Sequence, residues 1–364
     1  MDSTQLKISF VRRGFSGSGG AEAYLKRLAE GAVAAGHEAT LISTDDWPPN
    51  EWLAGPFVRL PGKSPRQFAD AVETQRAAFG CDVLMSLERV WRCDVYRAGD
   101  GVHRAWLDRR ARLGGAWEKI ALALNHKHRA ILELERALFA DNGARRVIAN
   151  SEMVKREIID VYGYPAERIA VVPNGVPVKE FQLSAEDRTA SRAELGIMPD
   201  EIAVLFVGSG WERKGLRFAI DAVETCGLSG MRLLVAGRGN EPKYRSPFAR
   251  FLGVVRDLPR LYAAANIFLL PTIYDPFSNA CLEALAAGVP VITTRANGFS
   301  EIIEDGTHGS IVHDPNDVAA LARALKFWSS AEARAEAQKQ NRKLAAGYDI
   351  SVNVARTLEI LLAR

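Results

Sequence analysis

Two similar α/β domains with a cleft between them, each a parallel sheet covered by helices, are what this sequence predicts. Its 364 residues exceed the usual span of a single hydrophobic core. β-prone runs alternate with helical patterns twice over, across 7–172 and again across 202–313. Between the two series, the stretch 173–200 is rich in turn formers and charge and reads as a linker. The domains predicted in this way are 1–175 and 176–345, with a last helix over 346–364 that returns to the first domain.

The first strand, KISFV (7–11), leads into a glycine-rich loop and an apolar helical pattern from Ala21 to Ala35 that Gly36 can end. EATLIS (38–43), a helix over 65–79 and CDVLMSL (81–87) continue the alternation expected of a parallel sheet. RRVIAN (145–150), a helix from Ser151 to Tyr162 and RIAVV (168–172) complete the first series. Between 104 and 140 the alternation stops. Trp117, Ile120, Leu124, Ile131, Leu134 and Leu138 fall there on a heptad-like stripe, which predicts a helical insertion. The second series runs through IAVLFV (202–207), a helix over 214–226, MRLLVA (231–236) and a helix over 257–265. IFLL (267–270), a helix over 277–287, VPVITT (289–294) and SIVH (310–313) follow, and helical patterns fill 315–364.

Composition excludes several classes. With 48% hydrophobic and 25% charged residues the chain is globular in character, and no apolar run approaches a membrane span. The opening MDSTQLKISFV lacks the basic start, apolar stretch and cleavage site of a secretory signal, so a cytoplasmic location is expected. Cys81, Cys93, Cys226 and Cys281 form no C-x-x-C pair and are expected to be reduced and mostly buried. A net charge of +3 gives no case for nucleic acid. The charge is nevertheless uneven: residues 104–146 hold ten Arg or Lys against five Asp or Glu, a balance of +5.

The most informative segment is LLPTIYDPFSNACLEALAAGVPVITT (269–294). A helix N-terminus offers unpaired N–H groups and the positive end of its dipole, so a diphosphate can sit against Phe277, Ser278 and Asn279. Glu283 can then accept hydrogen bonds from ribose hydroxyls and Asp275 from a donor sugar; the plainer alternative is a helix-capping Asp275 and a solvated Glu283. Arg213 and Lys214, in a glycine-rich loop, can neutralise a diphosphate, or can be a solvated surface pair. The loop is not a phosphate-binding Walker motif, since G-x-x-x-x-G-K-[ST] is absent.

The spacing of Asp275 and Glu283 resembles the E-x7-E signature of the retaining glycosyltransferases of family 4, which include the bacterial lipopolysaccharide core glucosyltransferases. Further motifs match in order: Gly17-Ser18-Gly19-Gly20-Ala21-Glu22, Val172-Pro173-Asn174-Gly175-Val176, Val207-Gly208 followed by Arg213-Lys214-Gly215, and Ala287-Gly288-Val289-Pro290-Val291. They cover nearly the whole chain. The resemblance implies a GT-B fold of two facing Rossmann-like domains and transfer of a hexose, with UDP-glucose as donor, to a glycan or lipid-linked acceptor in cell-surface glycan synthesis. It implies no cofactor, the nucleotide sugar being a co-substrate, and no metal, with front-face displacement assisted by the leaving phosphate. Asp275 departs from the pattern in replacing the usual first Glu, which bears on the identity of the donor sugar.

The resemblance also distributes roles. Gly19 and Gly20 are expected to approach the donor phosphate, Gly208 to lie beside it, and Arg213 and Lys214 to stabilise the leaving diphosphate. Arg238, Arg256 and Leu258 sit in the loops that flank the base, while Gly298 and Glu301 occupy a further motif loop. Asp100 and His103, in RAGDGVH, are candidates beside the reacting sugar, or else a turn residue and a helix-start residue. The insertion places Trp106 and Trp117 beside Arg104, Arg109, Arg110, Arg112, Lys119, Lys127 and Arg129, a face suited either to an anionic membrane or to packing within the domain. Contact with the inner face of the membrane would follow from the first reading.

Two other classes fit parts of the sequence. Gly17-x-Gly19 between a strand and a helix could belong to a nicotinamide oxidoreductase, but Glu22 occupies the third glycine position of that fingerprint. A protein that binds nucleotide sugar or membrane as a scaffold without catalysis would also keep these motifs.

Overall fold

The computed structural model describes residues 5–15 and 20–363. The chain forms two compact units, Met1–Pro173 together with Asn353–Arg364, and Asn174–Val352. In the first unit the strands are β1 (Lys7–Val11), β2 (Glu38–Ser43), β3 (Phe57–Arg59), β4 (Val83–Ser86), β5 (Cys93–Ala98), β6 (Ala144–Ala149) and β7 (Ile169–Val171). They pair in parallel in the order β3-β2-β1-β4-β5-β6-β7. The helices are α1 (Gly20–Ala34), α2 (Pro65–Gln75), α3 (His103–Leu124), α4 (His126–Leu138) and α5 (Glu152–Tyr162).

The second unit begins with α6 (Ala185–Glu194) and then runs β8 (Ile202–Val207), α7 (Leu216–Cys226), β9 (Met231–Ala236), β10 (Ala249–Gly253), α8 (Leu258–Ala264) and β11 (Ile267–Leu270). It continues with α9 (Asn279–Ala287), β12 (Val291–Thr294), β13 (Gly309–Val312), α10 (Val318–Trp328), α11 (Ala331–Ala345) and the start of α12 (Ile350–Leu362). Its parallel order is β10-β9-β8-β11-β12-β13. Strand order therefore reverses at β1/β4 in one sheet and at β8/β11 in the other. In a doubly wound sheet the loops leaving such a pair part to opposite faces and leave a crevice at the carboxyl ends of the strands.

Both sheets are buried by long apolar runs. Val204, Leu205 and Phe206 of β8 and Ile267, Phe268 and Leu269 of β11 are fully buried in the core of the second unit. Ile8 and Phe10 of β1, Leu25 and Leu28 of α1, and Trp47 form the corresponding core of the first. The end of α12 packs into that same core through Leu358 and Leu361. Gly31 makes this approach possible, because a Cβ there would lie 2.5 Å from Cγ1 of Val354. Arg146 then donates to the Ile360 carbonyl in the last turn of α12 (3.2 Å).

The sequence reading passes over three strands: β3 and β10, which are edge strands of their sheets, and β5 (CDVYRA), an interior strand whose apolar run is interrupted by Asp94 and Arg97. Edge strands are buried on fewer sides and carry a weaker apolar signal, and in β10 (ARFLG) no residue is fully buried. The 65–79 helix ends its α-helical part at Gln75, with a 3-10 turn over Arg76–Phe79 closed by left-handed Gly80. The stretch 173–200 also differs from a linker. It contains α6, opened by a Ser184–Asp187 capping box, and α6 is pinned to the sheet by Arg192. That guanidinium donates to Ala264 O (3.1 Å), Asn266 Oδ1 (2.8 Å), Met198 O (2.7 Å) and Glu201 O (2.7 Å). Polarity disguised the segment in the sequence, since its anchor is a buried cation and not an apolar stripe.

Cys93 and Cys281 are buried, Cys81 and Cys226 half-buried, and all four are free. Among the described residues no helix is long and apolar enough to cross a membrane. Replacing Arg192 by Met should lower unfolding stability by about 3 kcal/mol, because it strands several buried acceptors at once. Chemical denaturation of the two proteins measures this; a loss under about 1 kcal/mol would mean that α6 is held by its apolar contacts alone.

Candidate active site

The loop after β8 and the loop after β11 meet at the strand-order reversal of the second unit. Gly215, with φ +77°, permits the meeting: a Cβ there would lie 1.9 Å from the Pro271 carbonyl oxygen. Gly208, with φ +142°, lies under the stem of Lys214, whose Cδ and Cε would be 2.6 Å from a Cβ at that position. The sequence Val207-Gly208 thus makes room for a lysine seven residues from the strand end.

Lys214 Nζ lies 3.4 Å and Arg213 Nη1 3.5 Å from the same oxygen, Oδ2 of Asp275. The Asp275 side chain is only 8% exposed. Its backbone is fixed on both sides, the N–H donating to Ala296 O and the carbonyl accepting from Gly298 N, each at 2.9 Å. Arg213 is fixed as firmly: Nη1 donates to Tyr274 O (2.7 Å), and its carbonyl accepts from Ile273 N and Thr272 Oγ1 (2.9 Å each). Both ion pairs are longer than the roughly 2.7–2.9 Å of a tight charged hydrogen bond. Two cations facing one carboxylate leave one positive charge for an incoming anion.

Asp275 does not cap the following helix; Ser278 does, accepting from Cys281 N (3.4 Å). The Ser278 N–H is itself donated to Oδ1 of fully buried Asn297 (3.2 Å), which also accepts from Phe299 N (3.1 Å). Of the trio expected at a phosphate, Ser278 therefore has its N–H committed within the fold. The Phe277 ring is buried edge-on against Phe299 with centroids 6.0 Å apart. Among the described residues, the N–H groups of Asn279 and Ala280 meet no acceptor, as befits the first turn of a helix. The Asn279 side chain accepts from Asn174 (2.8 Å), which also donates to Phe277 O (3.1 Å).

Glu283 is half-buried and accepts from the hydroxyl of fully buried Tyr262 (2.8 Å). Burial first, and then the charge of Glu283, hold that hydroxyl well above the usual phenol range, so it remains a donor that orients the carboxylate. Tyr262 and Asn297 are the supports that sequence reasoning missed. For Asn297 a local signal exists, since it caps the turn over Gly298–Glu301 in ANGFSEII. For Tyr262 none does, because its partner is 21 residues away.

Arg238 is exposed, and its N–H reaches Ser209 Oγ (3.3 Å), which ties the loop after β9 to the one after β8. Gly298 is buried and Glu301 exposed. Arg256 is exposed, while Leu258 opens α8 behind the cap Asp257 and packs on the core. Among the described residues neither Arg256 nor Leu258 bonds to the Lys214–Asp275 group.

In the first unit, Gly19 lies outside the described residues, while Gly20 opens α1. Glu22 is buried and paired with Arg12 (3.1 Å), which also meets Glu88 (2.8 Å). A charged pair thus occupies the neighbourhood where a dinucleotide fingerprint would have its third glycine. Asp100 is exposed in the turn after β5, closed by Gly101 N to Ala98 O (3.1 Å). His103 starts α3 with its N–H on Glu135 Oε1 (2.8 Å), and its Nε2 lies 3.0 Å from Nδ1 of His128. Burial, followed by the charge of Arg89, lowers the His103 ring to about 4.

Of the insertion stripe, Leu134 and Leu138 are buried within the unit, and Arg109 pairs with Glu157 (2.6 Å). The side chains of Trp117, Ile120 and Leu124 lie outside the described residues.

Two doubly wound sheets in one chain are the units of which GT-B proteins are built, and comparison with solved structures matches the chain to that fold. The chain superposes on WaaG, a glycosyltransferase involved in lipopolysaccharide biosynthesis, with a TM-score of 0.82 over 97% of this chain and 99% of that one, at 21% identity. It also superposes on Anabaena HepE in complex with UDP-glucose, with a TM-score of 0.72 over 98% and 100% of the two chains, at 20% identity. Residues 18–180 match Glycosyltransferase Family 4 and residues 201–329 match Glycosyl transferases group 1, so the chain belongs to these glycosyltransferases. A glycosyltransferase of Methanocaldococcus jannaschii is 31% identical over 204 residues, 51% of this chain and 52% of its own. D-inositol 3-phosphate glycosyltransferase 2 of Catenulispora acidiphila is 32% identical over 208 residues, 50% of this chain and 48% of its own. The aligned region thus spans about half the length of these curated relatives.

The His103 environment is testable in solution. Because its folded value is depressed from 6.5 to about 4, the unfolded chain binds the extra proton in that window, and stability falls as pH drops through it. His103→Gln should flatten this part of the stability profile, and NMR should give His103 a midpoint far below its ordinary one. A midpoint near 6.5 would show a solvated ring.

Proposed function

We propose that this chain transfers a hexosyl group, with retention of configuration, from a nucleoside diphosphate sugar to a glycan or lipid-linked acceptor. UDP-glucose is the donor this reading favours. The observation that carries it is the convergence of Lys214 and Arg213 on Asp275 beside the N-terminus of α9, at the strand-order reversal.

In the proposed reaction the bond from the anomeric carbon to the phosphate oxygen breaks, and charge accumulates on the leaving diphosphate. Lys214 and Arg213 stabilise that charge, assisted by the N–H groups at the start of α9. The acceptor hydroxyl attacks from the face the phosphate leaves, and its proton passes to a leaving phosphate oxygen. The protein then needs no nucleophile. The two cations also supply the neutralisation that a metal ion would otherwise provide, which supports a metal-independent reaction. Asp275 accepts hydrogen bonds from the donor sugar and Glu283 from the ribose, with Tyr262 setting the Glu283 orientation.

Gly19, Gly20 and Gly208 are assigned to close approach of the phosphates, and the loops of Arg238, Arg256 and Leu258 to the base. Asp100 and His103 are assigned to the acceptor side. A ring as hard to protonate as that of His103 suits hydrogen bonding to the reacting sugar better than proton storage. The basic insertion over 104–140 suits an anionic membrane surface on the cytoplasmic side, with a lipopolysaccharide core or another lipid-linked glycan as acceptor.

Thermal-shift binding of UDP-glucose, UDP-galactose, UDP-N-acetylglucosamine, GDP-mannose, ADP-glucose and NAD, each with and without EDTA, tests the class and the donor. UDP-glucose at about 100 times its dissociation constant should stabilise by roughly 2.7 kcal/mol and be insensitive to EDTA. A shift with NAD alone would overturn the reading, and binding without transfer or donor hydrolysis would favour a scaffold. Lys214→Ala should lower kcat by about 10²–10³-fold while the circular dichroism spectrum is unchanged; unchanged turnover would remove Lys214 from the reaction. Asp275→Glu should alter the ranking of donor sugars more than it alters affinity for free UDP.

A further inference from the structure

We propose that the second unit carries a separate binding site for a small organic phosphate, at the end of its sheet opposite to Lys214 and Asp275. A cavity of about 440 Å3 opens there, lined by residues that precede β11 (Ala265, Asn266) and β12 (Val289, Pro290). The candidate active site follows those strands. A parallel sheet sets the two ends about 13 Å apart across a four-residue strand.

Three arginines line this cavity: Arg188 of α6, and Arg334 and Arg342 of α11. No Asp or Glu lines it, and among the described residues none of the three forms an ion pair. The nearby acid of α6, Asp187, is occupied in the capping box with Ser184 (2.9 Å). Each arginine uses only part of its guanidinium within the fold. Arg188 donates through Nη1 to the carbonyls of Ala263 and Ala265, and Arg334 through Nη1 to Trp328 O (2.9 Å) and Ser329 O (2.6 Å). Arg342 donates through Nη2 to Leu183 O (3.3 Å), and its buried Nε meets no acceptor among the described residues.

Carbonyl contacts of this kind hold a guanidinium in place without neutralising it. Burial, then the like charges of Arg192 and Arg334, lower Arg188 to about 10, and Arg334 is lowered by burial and by Arg192. Bringing these cations together therefore costs energy that a multiply charged anion recovers, while also giving the Arg342 Nε an acceptor. A phosphate monoester or a diphosphate matches this charge better than a monocarboxylate. The volume is well beyond one phosphate group, and Phe181, Tyr262 and Pro290 supply apolar wall for an organic body.

Isothermal titration of the full chain with glucose 6-phosphate, pyrophosphate, inorganic phosphate and acetate, at constant ionic strength, tests the site. Ala335 is exposed on α11 and lines the cavity, so Ala335→Glu adds a carboxylate without removing an arginine or disfavouring the helix. Glucose 6-phosphate should bind wild type and Lys214→Ala equally, and bind Ala335→Glu and Arg342→Gln at least about tenfold more weakly. The Tm of ligand-free Ala335→Glu should not fall. Absence of binding to wild type, or unchanged binding to both cavity variants, overturns the proposal. Loss of binding in Lys214→Ala would place the anion at the other end of the sheet and overturn it equally. An equal response to acetate would overturn the phosphate class, and an equal response to inorganic phosphate would overturn the organic body.

Discussion

The second unit is organised around one carboxylate held between two cations. Asp275 sits where the chain leaves β11, and Arg213 and Lys214 where it leaves β8, on strands that are neighbours only because the order of the sheet reverses there. Loops leaving such a pair depart to opposite faces, so nothing in the sheet itself draws them together. Glycine at 215 removes the side chain that would hold them apart, glycine at 208 makes room for the Lys214 stem, and the carboxylate supplies the attraction. The balance is deliberately incomplete in charge. A second acid would have neutralised the group; as it stands, one positive charge is left for the diphosphate of the proposed reaction.

A different carboxylate, Glu135, plays the organising part in the first unit. It is 1% exposed and accepts from the N–H groups of His103 (2.8 Å) and Arg104 (3.1 Å), from Arg89 Nε (3.0 Å) and from the Tyr162 hydroxyl (2.7 Å). Those bonds anchor the N-terminus of α3, and Arg89 in turn holds the Gly101 carbonyl (2.8 Å) next to Asp100. The polar network is costly to bury unless complete, and its completeness fixes where the helical insertion begins. It also explains why His103 loses its proton so readily: the ring is half-buried beside a cation, while the neighbouring acid is committed to backbone, Arg89 and Tyr162.

The opposite ends of the same parallel sheet offer different chemistry. Carboxyl ends of strands carry the glycine loops and helix N-termini suited to phosphate, whereas amino ends receive the C-termini of helices and their unpaired carbonyls. Arg188 and Arg334 are placed by just such carbonyls, at the ends of α8 and α10. An arginine recruited to a backbone carbonyl keeps most of its donors and all of its charge, so Arg188 and Arg334 at helix ends, with Arg342 on the Leu183 carbonyl, supply the proposed anion site from structural parts.

The strand runs, the glycine loops and the spacing of Asp275 and Glu283 were legible in the sequence, because they depend on local pattern and on backbone conformations that few residues adopt. The double α/β series followed from periodicity alone, and the order of the motifs pointed to the glycosyltransferases. Edge strands β3 and β10 escaped notice because partial burial weakens their pattern, interior β5 because Asp94 and Arg97 interrupt its apolar run, and α6 because a buried arginine replaces the apolar stripe that marks a helix. The resemblance to family 4 put Arg213, Lys214 and Asp275 at one donor, but which side chains pair directly was beyond sequence. Arg213 and Asp275 are 62 positions apart, Tyr262 and Glu283 are separated by 21, and Glu135 lies 32 residues beyond the helix start it caps. Local pattern thus determined the elements and their kind, whereas burial and the crossing of strand order decided which charges meet, since the energy of a buried charge depends on neighbours that only the tertiary fold supplies.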